Sequence, residues 1–298
     1  MAHNNGTVGG NQNNRNGLLD TTDQERATLL GKPDHGQFTM IRVRNHFDVN
    51  LSKKWGDLAL LLCYIITGLL DSSSVQVWGS FVSMQYVTSL ILLIYSKTYA
   101  NKENRTGNTV YLGLGIIAPT ESTRWIRSGI SIGCFCLGSM MFGHFHRYFG
   151  GRKRWVMVTS YGLQVLCMVG AALMVSLGPQ TGSGGAVSVW IGLPLALIAF
   201  QSGGQAYTSR VLQYGGLTSV VLTSIYCDLF SDAKLFAALT ENVERNRRTA
   251  APILLLVGAM IGGVWAHSSV GLAGSLWSAV GLKFLITLGW AFWPAEKE

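Results

Sequence analysis

Charge is what this chain has least of. Only 13% of its 298 residues are Asp, Glu, Lys or Arg, while 48% are apolar. That charged fraction is about half the usual share of a soluble protein, too little to cover a soluble domain of this length. Proline is scarce too, with six residues against 36 glycines, which excludes a Pro-rich low-complexity chain. Five cysteines are too few for a disulfide scaffold. There is no phosphate-binding Gly-x-x-x-x-Gly-Lys and no paired-Cys zinc pattern. The expectation is a chain with no enzymatic activity, no catalytic or metal-ligating cluster and no cofactor.

What is present is apolar sequence in runs. Residues 1–50 stand apart: they begin rich in Asn and Gly and stay polar, so they cannot bury enough apolar surface to offset their ordering entropy. They read as a disordered cytoplasmic tail. Residues 55–293 read as an integral membrane domain. Apolar runs at 55–70, 128–143, 155–177, 186–202, 251–267 and 270–292 qualify as spans, some only with their flanks. Two further stretches, 75–117 and 216–230, are apolar but broken by Gly, Ser, Thr or Asn. These are either ordinary spans with small-residue packing faces or re-entrant segments buried in protein. The fold class expected is all-α, a polytopic membrane helix bundle of about six full spans plus two broken stretches, with a candidate two-fold internal repeat.

Basic residues suggest the topology. Arg42, Arg44, Lys53 and Lys54 precede the first run, Arg147, Arg152, Lys153 and Arg154 follow the second, and Lys234, Arg245, Arg247 and Arg248 precede 251–267. The linkers 178–185 and 267–269 carry no Lys or Arg. Six spans with both broken stretches re-entrant put all three clusters in the cytoplasm and both bare linkers outside, as the positive-inside rule asks. Both termini are then cytoplasmic, and only Arg124 and Arg127 fall on the wrong side. Eight spans would put the 147–154 cluster outside. Juxtamembrane Lys and Arg account for the pI of about 9.4, so no nucleic-acid partner is expected.

Several residues are candidates for function. Asp71 directly follows the first run, at the membrane edge or deeper if the helix continues through residue 78; an ionisable group inside a membrane suggests a site. Thr106, Gly107 and Asn108 can break a helix and present polar groups. The second half echoes this, with Gln201-Ser202-Gly203-Gly204-Gln205 ending a run and Thr218-Ser219 following. Three spans plus one broken stretch per half would make the repeats inverted, as in many transporters. The plainer reading is helix packing through small residues, as at Gly129–Gly133 and Gly258–Gly262. His144, His146 and Arg147 are expected to reach headgroups, and most tryptophans to form an interfacial belt. The expected partners are the lipid bilayer and an unidentified small solute or ion, with room for a homo-oligomer. Transport is the favoured function, and a membrane scaffold or regulator whose polar motifs serve packing is the alternative.

Gly68-Leu69-Leu70-Asp71-Ser72, then Phe81-Val82-Ser83-Met84-Gln85, then Thr106-Gly107-Asn108 resemble the YoaK-like family of multi-pass membrane proteins of unknown function, domain of unknown function 1275. The stretch 217–224, Tyr226-Cys227-Asp228 and Asn246-Arg247-Arg248 look like its fungal branch. The resemblance spans roughly 55–293 and implies an integral membrane protein without an established activity. It also places Asp71 and Thr106–Asn108 at family motif positions. In that family Gln runs directly into Thr-Gly-Asn; here 86–105 intervene. Gln85-Tyr86-Val87 can be encoded CAG-TAT-GTN, which contains the fungal intron donor GTATGT, and codons at Ala100-Asn101 and Arg105 can supply a branch site and acceptor. Residues 86–105 therefore read as a retained-intron insertion; the other reading is a genuine insertion. Sequenced transcripts should lack these codons, and spliced messages that keep them would refute the retained-intron reading.

Overall fold

The structure, a computed structural model, describes residues 44–83, 107–120, 122–179 and 187–296. It divides into Met1–Asp48, of which 44–48 are described, and Val49–Glu298, which carries everything below. Most of the expected tail, all of 86–105 and Thr106 lie outside the described residues. The regular elements are helices: α1 (Gly56–Trp78), α2 (Asn108–Ile117), α3 (Arg124–Phe149), α4 (Arg154–Leu177), α5 (Val189–Val211), α6 (Thr223–Phe230), α7 (Val243–Ala266) and α8 (Gly271–Phe292).

Among the described residues, α1, α3, α4, α7 and α8 are long and apolar enough to cross a membrane. The chain is a polytopic helix bundle. Helix α5 matches α1 in length, at 23 residues, but does not meet the same apolar requirement. The reason is its carboxyl-terminal half, where Gln201, Ser202, Gln205, Thr208 and Ser209 are all buried. They face protein, so their polarity does not mark a helix end. This corrects the expected boundary at 202: the Gly-rich polar element lies inside α5. Similarly, α1 continues past Leu70 to Trp78, which puts Asp71 well within a helix. It stops at Gly79, whose φ of 71° is the left-handed cap that glycine adopts without strain. The two broken stretches supply only α2, 10 residues, and α6, 8 residues. At 1.5 Å per residue these reach about 15 and 12 Å, well short of a ~30 Å hydrocarbon core.

Contacts at the helix ends give the direction of each element. Arg127 Nη1, at the start of α3, donates to the Trp78 carbonyl at the end of α1 (2.8 Å), and the Arg124 guanidinium lies beside Gly79. Helix α3 therefore begins at the end of the bundle where α1 finishes. Arg247, at the start of α7, lies over the ring of Tyr214 just after α5, 4.9 Å from its centroid, and pairs with Asp57 at the start of α1 (2.7 Å). So α7 begins where α5 finishes, at the opposite end. Each broken stretch returns the chain to the side it left, and α5 runs against α1. Isolated bridges Asn50↔Lys153 and Leu51↔Ala295 bring the α3–α4 turn and the carboxyl-terminal segment to the end where α1 starts. Lys53 and Lys54, the cluster at 147–154 and the cluster before α7 thus share one end of the bundle. Arg127 is fully buried and caps α1, so it is not a free loop charge and does not weigh against the positive-inside pattern.

The two halves pack as repeats. A methyl group added at Gly68 would meet the Leu255 carbonyl oxygen at 2.0 Å, and one at Gly258 the Ile65 oxygen at 2.1 Å, where α1 crosses α7. Where α5 crosses α3, the same groups at Gly203 and Gly138 would meet the Phe135 oxygen at 2.4 Å and the Phe200 oxygen at 2.0 Å. Gly68 and Gly203 are 135 residues apart, as are Ile65 and Phe200; Gly138 and Gly258 are 120 apart, as are Phe135 and Leu255. One crossing therefore maps onto the other. Gly258 and Gly262 pack closely on α1, as expected. Gly129 and Gly133 do not: the former has only Leu112 near it and the latter has open space.

These crossings predict a contrast in detergent-solubilised protein. Gly203→Val should lower the melting temperature by several degrees, because overpacking against backbone typically costs about 1–3 kcal/mol. Gly133→Ala should leave the melting temperature unchanged or slightly raised. Equal effects would contradict the crossing.

Candidate functional site

Helix α1 carries a buried face made by Cys63, Thr67, Asp71, Ser74 and Trp78. Their spacing of three or four residues aligns them along one side of a helix. A first group of polar contacts surrounds Asp71. Its carboxylate accepts the backbone N–H groups of Val82 (2.8 Å) and Ser83 (3.0 Å), and the Ser83 hydroxyl (2.5 Å). Asn108, the first residue of α2, holds the same segment from the other side. Its Oδ1 accepts from the Ser80 hydroxyl (3.1 Å) and Phe81 N–H (3.2 Å), and its Nδ2 donates to the Phe81 carbonyl (2.8 Å). Ser131 of α3 also donates to that carbonyl (2.8 Å). Two side chains from separate helices thus replace the secondary structure that 80–83 lacks, as buried backbone requires.

A second group lies one turn along α1, around Gln205. Its Nε2 donates to Thr67 Oγ1 (3.0 Å), Ser219 Oγ (2.9 Å) and the Cys63 carbonyl (3.2 Å). Its Oε1 accepts from Lys283 Nζ of α8 at 2.6 Å. Ser219 sits in the broken stretch with φ 59°, a left-handed conformation that a serine adopts only under constraint. The Lys283 ammonium also lies 4.9 Å from the ring centroid of Tyr161 on α4. Lys283, Tyr161 and Gln205 are buried. No carboxylate pairs with Lys283 among the described residues. It lies near the middle of α8, roughly 13 Å from the nearer end, too far for its side chain to reach the headgroups.

The structure brings Asp71 and Asn108 together on 80–83, and Gln205 together with the second broken stretch. Thr67 and Asp71, one turn apart on α1, join the two groups. Gly107 is buried as the residue before α2. Gln201 is fully buried one turn from Gln205; its Nε2 donates to Ser202 Oγ (3.0 Å), while its Oε1 has no hydrogen-bond partner among the described residues. Thr218 is half-buried and its neighbour Ser219 makes the contact instead. Two expectations are corrected. His146 is 1% exposed and bonds Ser160 Oγ (3.0 Å) and the Gly151 carbonyl, holding the α3–α4 turn together, so only His144 and Arg147 face outward. Trp78 and Trp290 are core residues, not part of an interfacial belt.

Lys283, Tyr161 and Arg127 were not among the candidates. The lysine was nevertheless visible as the one charged residue in 270–292, and a charge inside a span is a functional signal by default. Outside the membrane, Asp232 accepts the Lys234 N–H (2.9 Å) and the Asn242 amide (3.1 Å). These bonds hold its carboxyl below the usual range. Arg245 gathers the carbonyls of Leu235 (2.7 Å) and Ala237 (2.6 Å). The loop before α7 is therefore tied to the Asn246-Arg247-Arg248 element and serves the scaffold.

Asn108→Ala should expose the dependence of 80–83 on its side-chain partners. Each stranded buried group costs about 1–3 kcal/mol, so the Phe81 amide should exchange hydrogen at least tenfold faster. Unchanged exchange would mean the segment is held by other contacts.

No curated protein and no solved structure matches the chain. One family matches residues 102–289, starting inside the 86–105 segment and leaving the motifs around Asp71 outside the matched range. On that match, which covers more than half of its length, the chain belongs to the family described as "Protein of unknown function (DUF1275)".

Proposed function

We propose that this membrane protein is a transporter for a small solute or ion, with its pathway along the polar face of α1 between Asp71 and Thr67. The observation that carries this reading is the convergence of the two broken stretches. They leave from opposite ends of the bundle, and each finishes on a polar side chain, Asp71 or Gln205, with one turn of α1 between them. In an inverted repeat each broken segment closes the pathway from one side, and moving either opens it to that side alone. Asp71, Asn108, Gln201, Gln205 and Ser219 line the pathway, together with Gly107 and Thr218 beside them. The basic end is cytoplasmic by the positive-inside rule, which puts both termini there.

A second reading is a scaffold or regulator that moves nothing. It is favoured by the polar groups that satisfy one another, Asp71 on Ser83 and Gln205 on Thr67, as packing devices do. Uptake of a panel of small ions and metabolites by proteoliposomes separates the two. Transport predicts flux of at least one solute, and Asp71→Asn should lower it tenfold or more, because an amide brings donors to a place already filled with donors. Absence of flux for every solute favours the scaffold, and flux indifferent to Asp71→Asn removes that residue from the pathway.

A further inference from the structure

The donors and acceptors around Lys283 do not balance. A lysine ammonium carries three N–H donors, and here one goes to Gln205 Oε1 while the ring of Tyr161 covers another side. The Gln205 amide divides its two N–H groups among three acceptors, Thr67 Oγ1, Ser219 Oγ and the Cys63 carbonyl. The Thr67 and Ser219 hydroxyls act only as acceptors in these bonds, so their own O–H donors find no acceptor among the described residues. The centre therefore has spare donors on Lys283, Thr67 and Ser219, all buried, and one positive charge with no carboxylate to answer it. An ammonium removed from water without a counter-charge is costly, and the cost falls when an opposite charge sits beside it.

We propose that this centre binds one small monovalent anion, a carboxylate or a halide, held by Lys283 Nζ and by the hydroxyls of Thr67 and Ser219. One lysine neutralises one negative charge; a divalent anion would leave an excess of the opposite sign in the same apolar surroundings. The anion reaches the centre from the end of the bundle where α5 finishes, because Ser219 is the one of the three donors that sits on non-helical backbone, in a conformation that relaxes if the 214–222 segment moves away. As the substrate class of the transport reading this inference rests on that reading, but the binding site itself can be tested without it.

The test is thermal unfolding of the full chain in detergent with sodium acetate, choline acetate, sodium chloride and sodium sulfate at equal ionic strength. Acetate or chloride should raise the melting temperature by roughly 5 °C near saturation. The acetate shift should be the same with sodium or choline as cation, sulfate should give less, and Lys283→Met should abolish the shift. Ser219→Ala, a milder change that serves should Lys283→Met fail to fold, should require several-fold more acetate for the same shift. Shifts that follow the cation, shifts that persist in Lys283→Met, an unchanged acetate requirement in Ser219→Ala, or no anion-dependent shift in the unaltered chain would each overturn the proposal. Proteoliposome flux of radiolabelled acetate is scored separately. An acetate shift without flux leaves the anion site standing and removes transport. Flux of some other solute that is indifferent to Lys283→Met keeps transport and overturns the anion assignment.

Discussion

A positive charge in the middle of a membrane bundle has to be solvated by the protein, and here one amide oxygen and one aromatic ring do it. The Lys283–Gln205 contact at 2.6 Å constrains everything near it. Gln205 can meet the lysine only if α5 stays helical beyond Ser202, through a run of Gly, Gln and Ser that would otherwise favour a loop. Its amide then needs acceptors, which α1 supplies through Thr67 and the Cys63 carbonyl, and the broken stretch supplies through Ser219. Four helices are thereby committed to one point. The left-handed backbone at Ser219 is the local strain that this convergence requires.

Close helix crossings make the convergence geometrically feasible. Helix axes approach closely only where side chains are absent, and Gly68, Gly258, Gly138 and Gly203 place backbone against backbone at two equivalent crossings. Because α1 and α5 run in opposite directions, these crossings relate the halves as an inverted pair. The polar side chains have diverged between halves: Asp71 holds its segment through a carboxylate, Gln205 through an amide. The scaffold is the repeated part and the chemistry differs between its two copies.

How much of this could be read from residues alone depends on what the residues face. The membrane class was legible because the chain carries too few charges for a soluble surface. Helix ends were not, since hydropathy treats Gln201–Gln205 and Asp71–Ser74 as signs of water when they face protein. Arg127 looked like a misplaced loop charge because a sequence does not distinguish an exposed arginine from one that caps a buried helix end. The repeat was suggested by polar motifs, yet it is carried by glycines whose spacing across 120 and 135 residues no local pattern flags. The Gly129–Gly133 pair had the right spacing and packs against almost nothing. Asp71, Asn108 and Gln205 stood out because polar residues in apolar runs are rare, and all three are buried; Lys283 was passed over because a long apolar window tolerates one charge.

The central claim is that Lys283 and Gln205 interact directly in the bundle core. A double-mutant cycle on unfolding stability, with Lys283→Met, Gln205→Leu and the pair together, measures that interaction without reference to any solute. Losing either partner strands the other in an apolar interior, so the paired change should cost clearly less than the two single changes added, by at least about 1 kcal/mol. Costs that simply add would show that the two side chains do not share an interaction, and the account built on their contact would be wrong.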